Sequence, residues 1–317
     1  MTNNIEKILS LFSVSGYEKN LTDYIMEETK KYADECYVDK LGNVIVNKKG
    51  KGDKILINVP ISSNGIFITH ITDDCKGKFK PIGKLDAKKL TGLTVRCENG
   101  KKAGVIYSEA EEINNTDDLY IDFGVYDKED LKVKVGDVLS FSSDCFPIND
   151  NIYGNDISRC ALIHSALEII KKIKSPYDLY FAFTVMDNIG FKGAKTAVFS
   201  INPDLCITCS SSFEDSKETT VKMSKGTVIR IKDSHIIVNK SLRDMVIKKL
   251  SDAGIPYQLE VLTKEGLLNN EVMYLNGGIL TLNINLCAKG FKERTECINK
   301  SDLENYKKSL EIILTKE

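Results

Sequence analysis

The chain has 317 residues, of which 42% are hydrophobic and 28% are charged. This composition is typical of a globular protein and unlike that of a disordered chain. With 44 Lys and Arg residues against 45 Asp and Glu residues, the formal net charge is -1. Nucleic acids and anionic membranes attract an excess of basic residues, so we expect neither to be a partner of this protein.

The sequence also indicates the cellular compartment in which the protein resides. No run of apolar residues is long enough to span a membrane, and the first residues, MTNNIEKILSLFS, lack the basic and apolar segments of a secretory signal. The 9 cysteines, an odd number spread over a long chain, are typical of reduced thiols rather than of a disulfide framework. We therefore expect a cytoplasmic protein.

The first 71 residues predict two helices and several short strands. Ile5, Ile8 and Leu9 have the spacing of one helix face and predict a helix from about residue 4 to residue 12. Ser15 and Glu18 have the spacing of a capping box, which predicts that a second helix begins there. Short β-type runs separated by turn residues follow up to residue 71.

The pattern changes twice along the rest of the chain. Residues 72–147 show almost no helical periodicity and contain many short β-type runs with Gly or Asn between them, which predicts a small inserted β-barrel. From residue 148 onward strands alternate with helices, as in a mixed, mostly parallel sheet with helices on both faces. We therefore predict an α/β domain formed by 1–71 and 148–317, with a β domain at 72–147.

Several strings, in a fixed order along nearly the whole chain, carry a resemblance to a known family. They are Ser13-Val-Ser-Gly-Tyr-Glu18, Val38-Asp-Lys-Leu-Gly-Asn43, Ile68-Thr-His-Ile71, Pro81-Ile-Gly-Lys-Leu-Asp86, Leu119-Tyr-Ile-Asp-Phe-Gly124, Gly190-Phe-Lys-Gly-Ala194, Lys225-Gly-Thr-Val-Ile-Arg230 and Gly254-Ile-Pro-Tyr-Gln-Leu-Glu-Val261. Through these strings and their order, the chain resembles the di-metal aminopeptidases that assemble as tetrahedral dodecamers. Relatives in that family are often labelled glutamyl aminopeptidases or endoglucanases.

The resemblance implies a definite chemistry. In that family two divalent ions share a bridging carboxylate, each ion also binds a His and a carboxylate, and a Glu acts as the general base. The ions lower the pKa of the attacking water and polarise the scissile carbonyl, which requires anionic oxygens and neutral imidazoles at fixed positions. The resemblance therefore predicts where such side chains should lie in this sequence.

Carried over residue by residue, the five ligand positions hold no His, Asp or Glu. The first His and the bridging Asp fall on Pro60 and Ile157, the Glu ligand on Asn188, the next Asp on Ser210, and the last His near Lys292. We therefore expect no metal ligands and no cofactor. Asp187 keeps a carboxylate at the general-base position and is the candidate catalytic residue, and Arg159, Asn188 and Ser210 are expected to line the vestigial cleft as binding residues.

Two functional hypotheses follow from this pattern. In the first, the protein is a catalytically degenerate homologue of metallo-aminopeptidases with a structural, binding or regulatory role. It would form a homo-oligomer or co-assemble with an intact paralogue, and a peptide is a possible ligand. In the alternative, it is an active peptide hydrolase with an atypical or single-metal site built from Asp187, Asn188, Cys209 or Asp156.

Overall fold

The computed structural model describes residues 1–234, 236–263, 272–291 and 293–315. Its helices are α1 (Thr2–Ser10), α2 (Lys19–Thr29), α3 (Ile157–Lys172), α4 (Lys192–Ile201), α5 (Lys240–Asp252) and α6 (Lys300–Thr315). Its strands are β1 (Glu35–Val38), β2 (Val44–Lys48), β3 (Lys54–Pro60), β4 (Gly65–Ile71), β5 (Lys76–Ile82), β6 (Thr94–Arg96), β7 (Lys102–Ser108), β8 (Leu119–Asp122), β9 (Val138–Phe141), β10 (Cys145–Ile148), β11 (Asn151–Gly154), β12 (Asp178–Thr184), β13 (Leu205–Phe213), β14 (Thr227–Lys232), β15 (Tyr257–Val261), β16 (Leu280–Lys289) and β17 (Glu296–Asn299).

A large mixed sheet forms the body of the molecule, which confirms the predicted fold class. Its strand order is β1-β2-β12-β3-β13-β16-β17-β11-β10, and β14 joins β16 and carries β15 at its other edge. The parallel pairs lie at the centre, between β12, β3, β13 and β16, and also between β14 and β15, whereas the flanking pairs are antiparallel.

Helices cover both faces of this sheet. Along β3, Ile55, Ile57 and Val59 belong to the larger core, which also holds buried residues of α1, α2, α3, α5 and α6, whereas Leu56 lies in a smaller core under α4. Alternate strand residues point to opposite faces, so a strand buried on both sides needs a continuous apolar run. No helix in the described parts of the chain is long and apolar enough to cross a membrane.

The second part of the fold is a closed antiparallel barrel with the strand order β4-β5-β8-β7-β6-β9. Its interior is a separate core that includes Ile66, Phe79 and Ile121. The boundary predicted at residue 72 placed β4 in the α/β domain, but β4 pairs with β5 and β9 of the barrel. The strand is apolar enough to suit either sheet, and β9, the partner that closes the barrel against it, is distant in sequence.

The predicted capping box at Ser15 and Glu18 does not form. Gly16 has a φ of +89°, so the chain turns there and α2 begins only at Lys19, with Glu18 as its cap residue. The Glu18 carboxylate accepts a hydrogen bond from Gly16 N at 2.9 Å, and Ser15 Oγ accepts one from Asn188 N at 3.2 Å. These two side chains therefore bond to the backbone of Gly16 and of Asn188 and do not cap α2.

A buried ion pair links β14 to β15. Arg230 and Glu260 lie opposite each other on these strands, and Arg230 Nε donates to Glu260 Oε2 at 2.7 Å. The two side chains are 1% and 2% exposed. Ser212 Oγ and Thr219 Oγ1 also donate to the Glu260 carboxylate, at 2.7 and 2.8 Å. The pair is thus desolvated and well bonded, and removing one partner would leave the other charge buried and unpaired.

We therefore expect Glu260→Gln to destabilise the protein strongly. The loss in the free energy of unfolding should be about 3–5 kcal/mol, because Arg230 would lose its counterion in the interior. Urea unfolding followed by circular dichroism measures this loss. Glu27→Gln, on the exposed face of α2, is the matched control and should stay within about 0.5 kcal/mol of the wild type. A similarly small change for Glu260→Gln would contradict the assignment.

Candidate functional site

A cleft of about 460 Å³ lies where β3, β12 and β13 end. In open α/β sheets this edge, outside the carboxyl ends of the parallel strands, is where ligands bind. The loop after β3, the turn after β12, the end of β13 and the start of α3 meet there. The residues that line the cleft include Pro60, Ser62, Asp156, Arg159, Asp187, Asn188, Phe191, Cys209, Ser210, Phe213 and Glu296.

Asp187 lines this cleft, and its carboxylate is buried among donors that it shares with other acceptors. Oδ2 accepts from Ile61 N at 3.1 Å and lies 3.3 Å from Ser62 Oγ, and Oδ1 lies 3.1 Å from Thr184 Oγ1, whose hydrogen is shared with Asn58 Oδ1 at 2.9 Å. The side chain is 4% exposed, and burial raises its pKa to about 7 against these stabilising hydrogen bonds. The carboxylate thus closes the ends of β3 and β12, because its partners follow β3 or end β12.

A second buried carboxylate, which the sequence pattern assigned to a helix cap, belongs to the same network. Glu18 Oε1 accepts from Ser62 Oγ at 2.6 Å and from Met186 N at 2.7 Å. Ser62 Oγ in turn accepts from Asp187 N at 3.1 Å. The negative charge of Glu18 adds to the rise of the Asp187 pKa. The Ser62 hydroxyl therefore links Glu18 to Asp187.

The predicted ligand positions are only partly brought together. Pro60, Asn188 and Ser210 line the cleft, and Asn188 Nδ2 lies 3.4 Å from the carbonyl of Ser62. Ile157 does not: it is fully buried and packs in the larger core at the start of α3. The helical turn instead gives the cleft Asp156, Ser158 and Arg159. Lys292 lies outside the described residues.

The guanidinium group of Arg159 is bonded within the protein, where it links two segments of the chain. Its Nε donates to Asp156 Oδ2 at 2.6 Å, and its Nη1 donates to the carbonyl of Ile61 at 2.7 Å. The side chain is 12% exposed. It therefore fixes the first turn of α3 against the end of β3, and it holds the Asp156 carboxylate at the mouth of the cleft.

Glu296 is a functional candidate that the sequence reasoning missed. It begins β17 opposite Gly154 of β11, and this pairing carries it to the start of α3. Its Oε2 accepts from Ser158 N at 3.0 Å and from Ser158 Oγ at 2.7 Å. Burial, with the nearby charge of Asp156, raises its pKa to about 7. Two further carboxylates, those of Asp156 and Glu296, therefore line the cleft besides Asp187.

The two described histidines lie away from the cleft. His164 is in the middle of α3, 5% exposed, and burial lowers its pKa to about 4, so it is neutral. His70 is on β4 of the barrel. His235 lies outside the described residues. Within the described ranges, no three or more His, Cys, Asp or Glu side chains are grouped closely enough to hold a metal ion.

The sequence as a whole matches one family. The profile of the M42 glutamyl aminopeptidases matches residues 42–308, which span both the sheet and the barrel. The chain belongs to this family. It is 33% identical to an aminopeptidase homologue of Acetivibrio thermocellus over 318 residues, which cover 96% of each protein. The resemblance found in the sequence strings is therefore confirmed.

Solved structures agree with this assignment. The aminopeptidase of the archaeon Desulfurococcus kamchatkensis superposes with a TM-score of 0.91 at 24% identity, covering 100% of this chain and 94% of that one, and so shares its fold. The TET1 peptidase of Pyrococcus horikoshii superposes with a TM-score of 0.86 at 28% identity, covering 99% of each chain. That peptidase can assemble into a tetrahedron or a large octahedral shell.

Membership corrects one expectation from the sequence. We expected no cofactor, but M42 aminopeptidases use divalent metal ions, so such an ion is what membership implies for this protein as well. The described donors do not fit the paired ions of the family: a proline, an amide and a hydroxyl line the cleft at the positions for which the sequence resemblance predicts an imidazole and two carboxylates, and Ile157 is in the core. The anionic oxygens lie instead on Asp156 and Glu296.

The raised pKa of Asp187 gives a prediction for stability against pH. An acid whose folded pKa lies above its unfolded value of 3.8 binds more protons when folded, so its stabilising contribution is complete below about pH 4 and is lost as the pH rises to about 7. Asp187→Asn mimics the protonated form, since Thr184 Oγ1 can donate to Asn58 Oδ1 and accept from the new amide.

We therefore expect the stability of Asp187→Asn relative to the wild type to rise between pH 5 and pH 7. The slope should be on the order of 1 kcal/mol per pH unit, measured by urea unfolding at each pH. Asp252→Asn, at the exposed end of α5, should show a flat difference over the same range. A flat difference for Asp187→Asn would mean that Asp187 ionises at its ordinary pKa.

Proposed function

We propose that this protein binds peptides in the cleft and no longer carries out the hydrolysis of its family. The observation that carries the proposal is the environment of Asp187. A general base must offer a free oxygen to the water that it activates. Asp187 is instead only 4% exposed, and its carboxylate packs against Ile61 N, Ser62 Oγ and Thr184 Oγ1, which leaves little of it accessible to a water.

The cleft retains what peptide binding needs. Phe191, Phe213 and Leu162 offer apolar surface, and Ser210 offers a hydroxyl near the end of β13. Pockets of this kind, mostly apolar with a few polar groups at fixed positions, bind ligands in a defined orientation. The paired carboxylates of Asp156 and Glu296 suit the ammonium group of a peptide N-terminus, because a cation there relieves their mutual repulsion.

A second candidate function rests on the same two carboxylates. A divalent ion would also relieve their repulsion, and Asp156 and Glu296 are the residues that would hold it. Carboxylate oxygens suit several such ions, and a bound ion supplies Lewis acidity in peptide hydrolysis. In this candidate the protein is a hydrolase with a site that differs from the paired-ion site of its relatives.

One experiment separates the two candidates. The full chain is incubated with leucine p-nitroanilide and with the tripeptide Ala-Ala-Ala, each with zinc, cobalt or manganese, while calorimetric titration follows binding of the same tripeptide. We expect saturable tripeptide binding that is weakened roughly tenfold by Glu296→Gln, and no release of product above the buffer control. Asp23→Asn, at an exposed position of α2, is the control and should bind like the wild type.

The opposite outcomes are equally specific. Metal-dependent product release that is lost in Asp156→Asn and Glu296→Gln, but retained in Asp23→Asn, would overturn the first candidate and establish the second. Failure of the tripeptide to bind the wild type would contradict peptide binding in this cleft.

We also infer that the protein is oligomeric, either as a homo-oligomer or as a co-assembly with a catalytically intact paralogue. The support is its 28% identity over 99% of its length to a peptidase that builds closed shells. The chain also keeps the whole barrel. At the edge of the large sheet, strand β10 exposes Phe146 and Ile148, which are 44% and 50% accessible. Exposed apolar side chains on a sheet edge are typical of surfaces that pair with other chains.

Light scattering after size exclusion tests the oligomer. We expect a particle mass that is a multiple of the 35.4 kDa chain. Phe146→Glu is expected to lower that mass if the β10 edge takes part in the contact, and Phe199→Glu, on the exposed part of α4, is the control for an added charge. A mass of one chain for the wild type would contradict the inference.

A further inference from the structure

A second cavity, of about 240 Å³, lies beside the cleft between the barrel and the α/β domain. It shares Asp156, Arg159 and Glu296 with the cleft, so the two spaces are neighbours across these side chains. Arg96, at the end of β6, and Arg294, just before β17, also line it. We call this cavity the arginine pocket.

Neither of these two arginines has a carboxylate at ion-pair distance in the described part of the chain. Arg96 Nη1 and Nη2 donate to the carbonyls of Ser10 and Leu9 at 2.5 and 3.1 Å, after the last turn of α1 has left those carbonyls free. Arg294 Nη2 donates to the carbonyl of Ser142 at 2.7 Å. Arg96 Nε and Arg294 Nη1 are buried without a hydrogen-bond partner among the described atoms.

The other charged groups around the pocket are already engaged. Lys89 pairs with Glu293 at 2.6 Å, and Arg159 pairs with Asp156 at 2.6 Å. Among the remaining acids, Asp86 accepts from Lys88 N at 3.1 Å, and Glu296 is bonded to Ser158. Arg96 and Arg294 therefore stand outside the ion pairs of the lining in the described part of the chain, and each keeps a buried N–H that a ligand could use.

Electrostatics supports this description. Burial lowers the pKa of Arg96, and the positive charge of Arg159 lowers it further. Burial also lowers the pKa of Arg294, although the charge of Asp144 opposes that change. A guanidinium ion does not lose its proton in proteins, so the energetic cost of these half-buried charges is relieved by an anion and not by deprotonation.

We propose that the arginine pocket binds an oxyanion, a carboxylate or phosphate group, of a ligand whose remaining part lies in the cleft. Planar guanidinium groups match the geometry of both oxyanions. For a peptide ligand the group would be a carboxylate, and in that form the inference rests on the proposed peptide binding. Binding of a free oxyanion does not depend on it.

The test is calorimetric titration of the full-length protein at constant ionic strength, which keeps charge screening equal in all samples. The probes are inorganic phosphate, Ala-Ala-Ala, and the same tripeptide with a C-terminal amide. The variants are Arg294→Gln, Arg294→Lys and, as a control, Arg243→Gln, whose arginine pairs with Asp244 on α5. Circular dichroism shows which variants are folded.

We expect saturable binding of phosphate or of the acid tripeptide, weakened roughly tenfold in Arg294→Gln, partly restored in Arg294→Lys and unchanged in Arg243→Gln. Phosphate binding alone indicates a phosphorylated ligand, and a preference for the acid tripeptide over the amide indicates a peptide carboxylate. The proposal is overturned if no probe binds in an Arg294-dependent way. Equal binding of acid and amide, with no phosphate binding, would overturn it while leaving the proposed peptide binding intact.

Discussion

The buried carboxylate of Asp187 is the constraint on which the rest of the cleft depends. Two parallel strands end side by side there, and the donors at their ends also have acceptors outside the carboxylate: Ile61 N lies 3.0 Å from the carbonyl of Thr184, and Thr184 Oγ1 lies 2.9 Å from Asn58 Oδ1. The Asp187 carboxylate is a second acceptor for both donors, at 3.1 Å from each. Its burial is costly, as the pKa of about 7 shows, and the hydrogen bonds that offset this cost also remove its oxygens from solvent.

Besides Asp187, Asp156 and Glu296 are the acidic side chains that line the cleft in the described part of the chain. Arg159 holds Asp156 against the first turn of α3, and Ser158 holds Glu296 beside it. Both side chains lie between the cleft and the arginine pocket. A ligand that reached from one space to the other would pass from an acidic wall to two unpaired guanidinium groups, so its two ends would be distinguished by charge.

The comparisons define the fold of this protein more closely than its site. The sheet, the helices and the barrel match those of M42 relatives over nearly the full chain. The loss of ion ligands at Pro60, Ile157, Asn188 and Ser210 stays a prediction from the sequence. Large cores such as those under α3 and α4 depend on apolar volume and not on the few polar residues at the strand ends. A family fold therefore does not by itself establish the family reaction.

The sequence by itself determined the architecture, because hydrophobic period and order along the chain are local properties. The alternation of strands and helices after residue 148, and its absence in the inserted segment, predicted the sheet and the barrel. Motif order identified the family. Position by position, it also located Asp187, Asn188 and Ser210 at the cleft, since short loops after parallel strands converge at one edge.

Tertiary structure decided what the sequence pattern could not. Ile157 lies in the core and Asp156 at the cleft, because the point at which α3 begins sets which side chain faces which way. Glu296 and Glu18 reach the cleft through contacts across 138 and 44 residues, with Ser158 and Ser62, and no local spacing reports such contacts. Burial and hydrogen bonding, which set the pKa values of Asp187 and Glu296, exist only once distant segments have packed together.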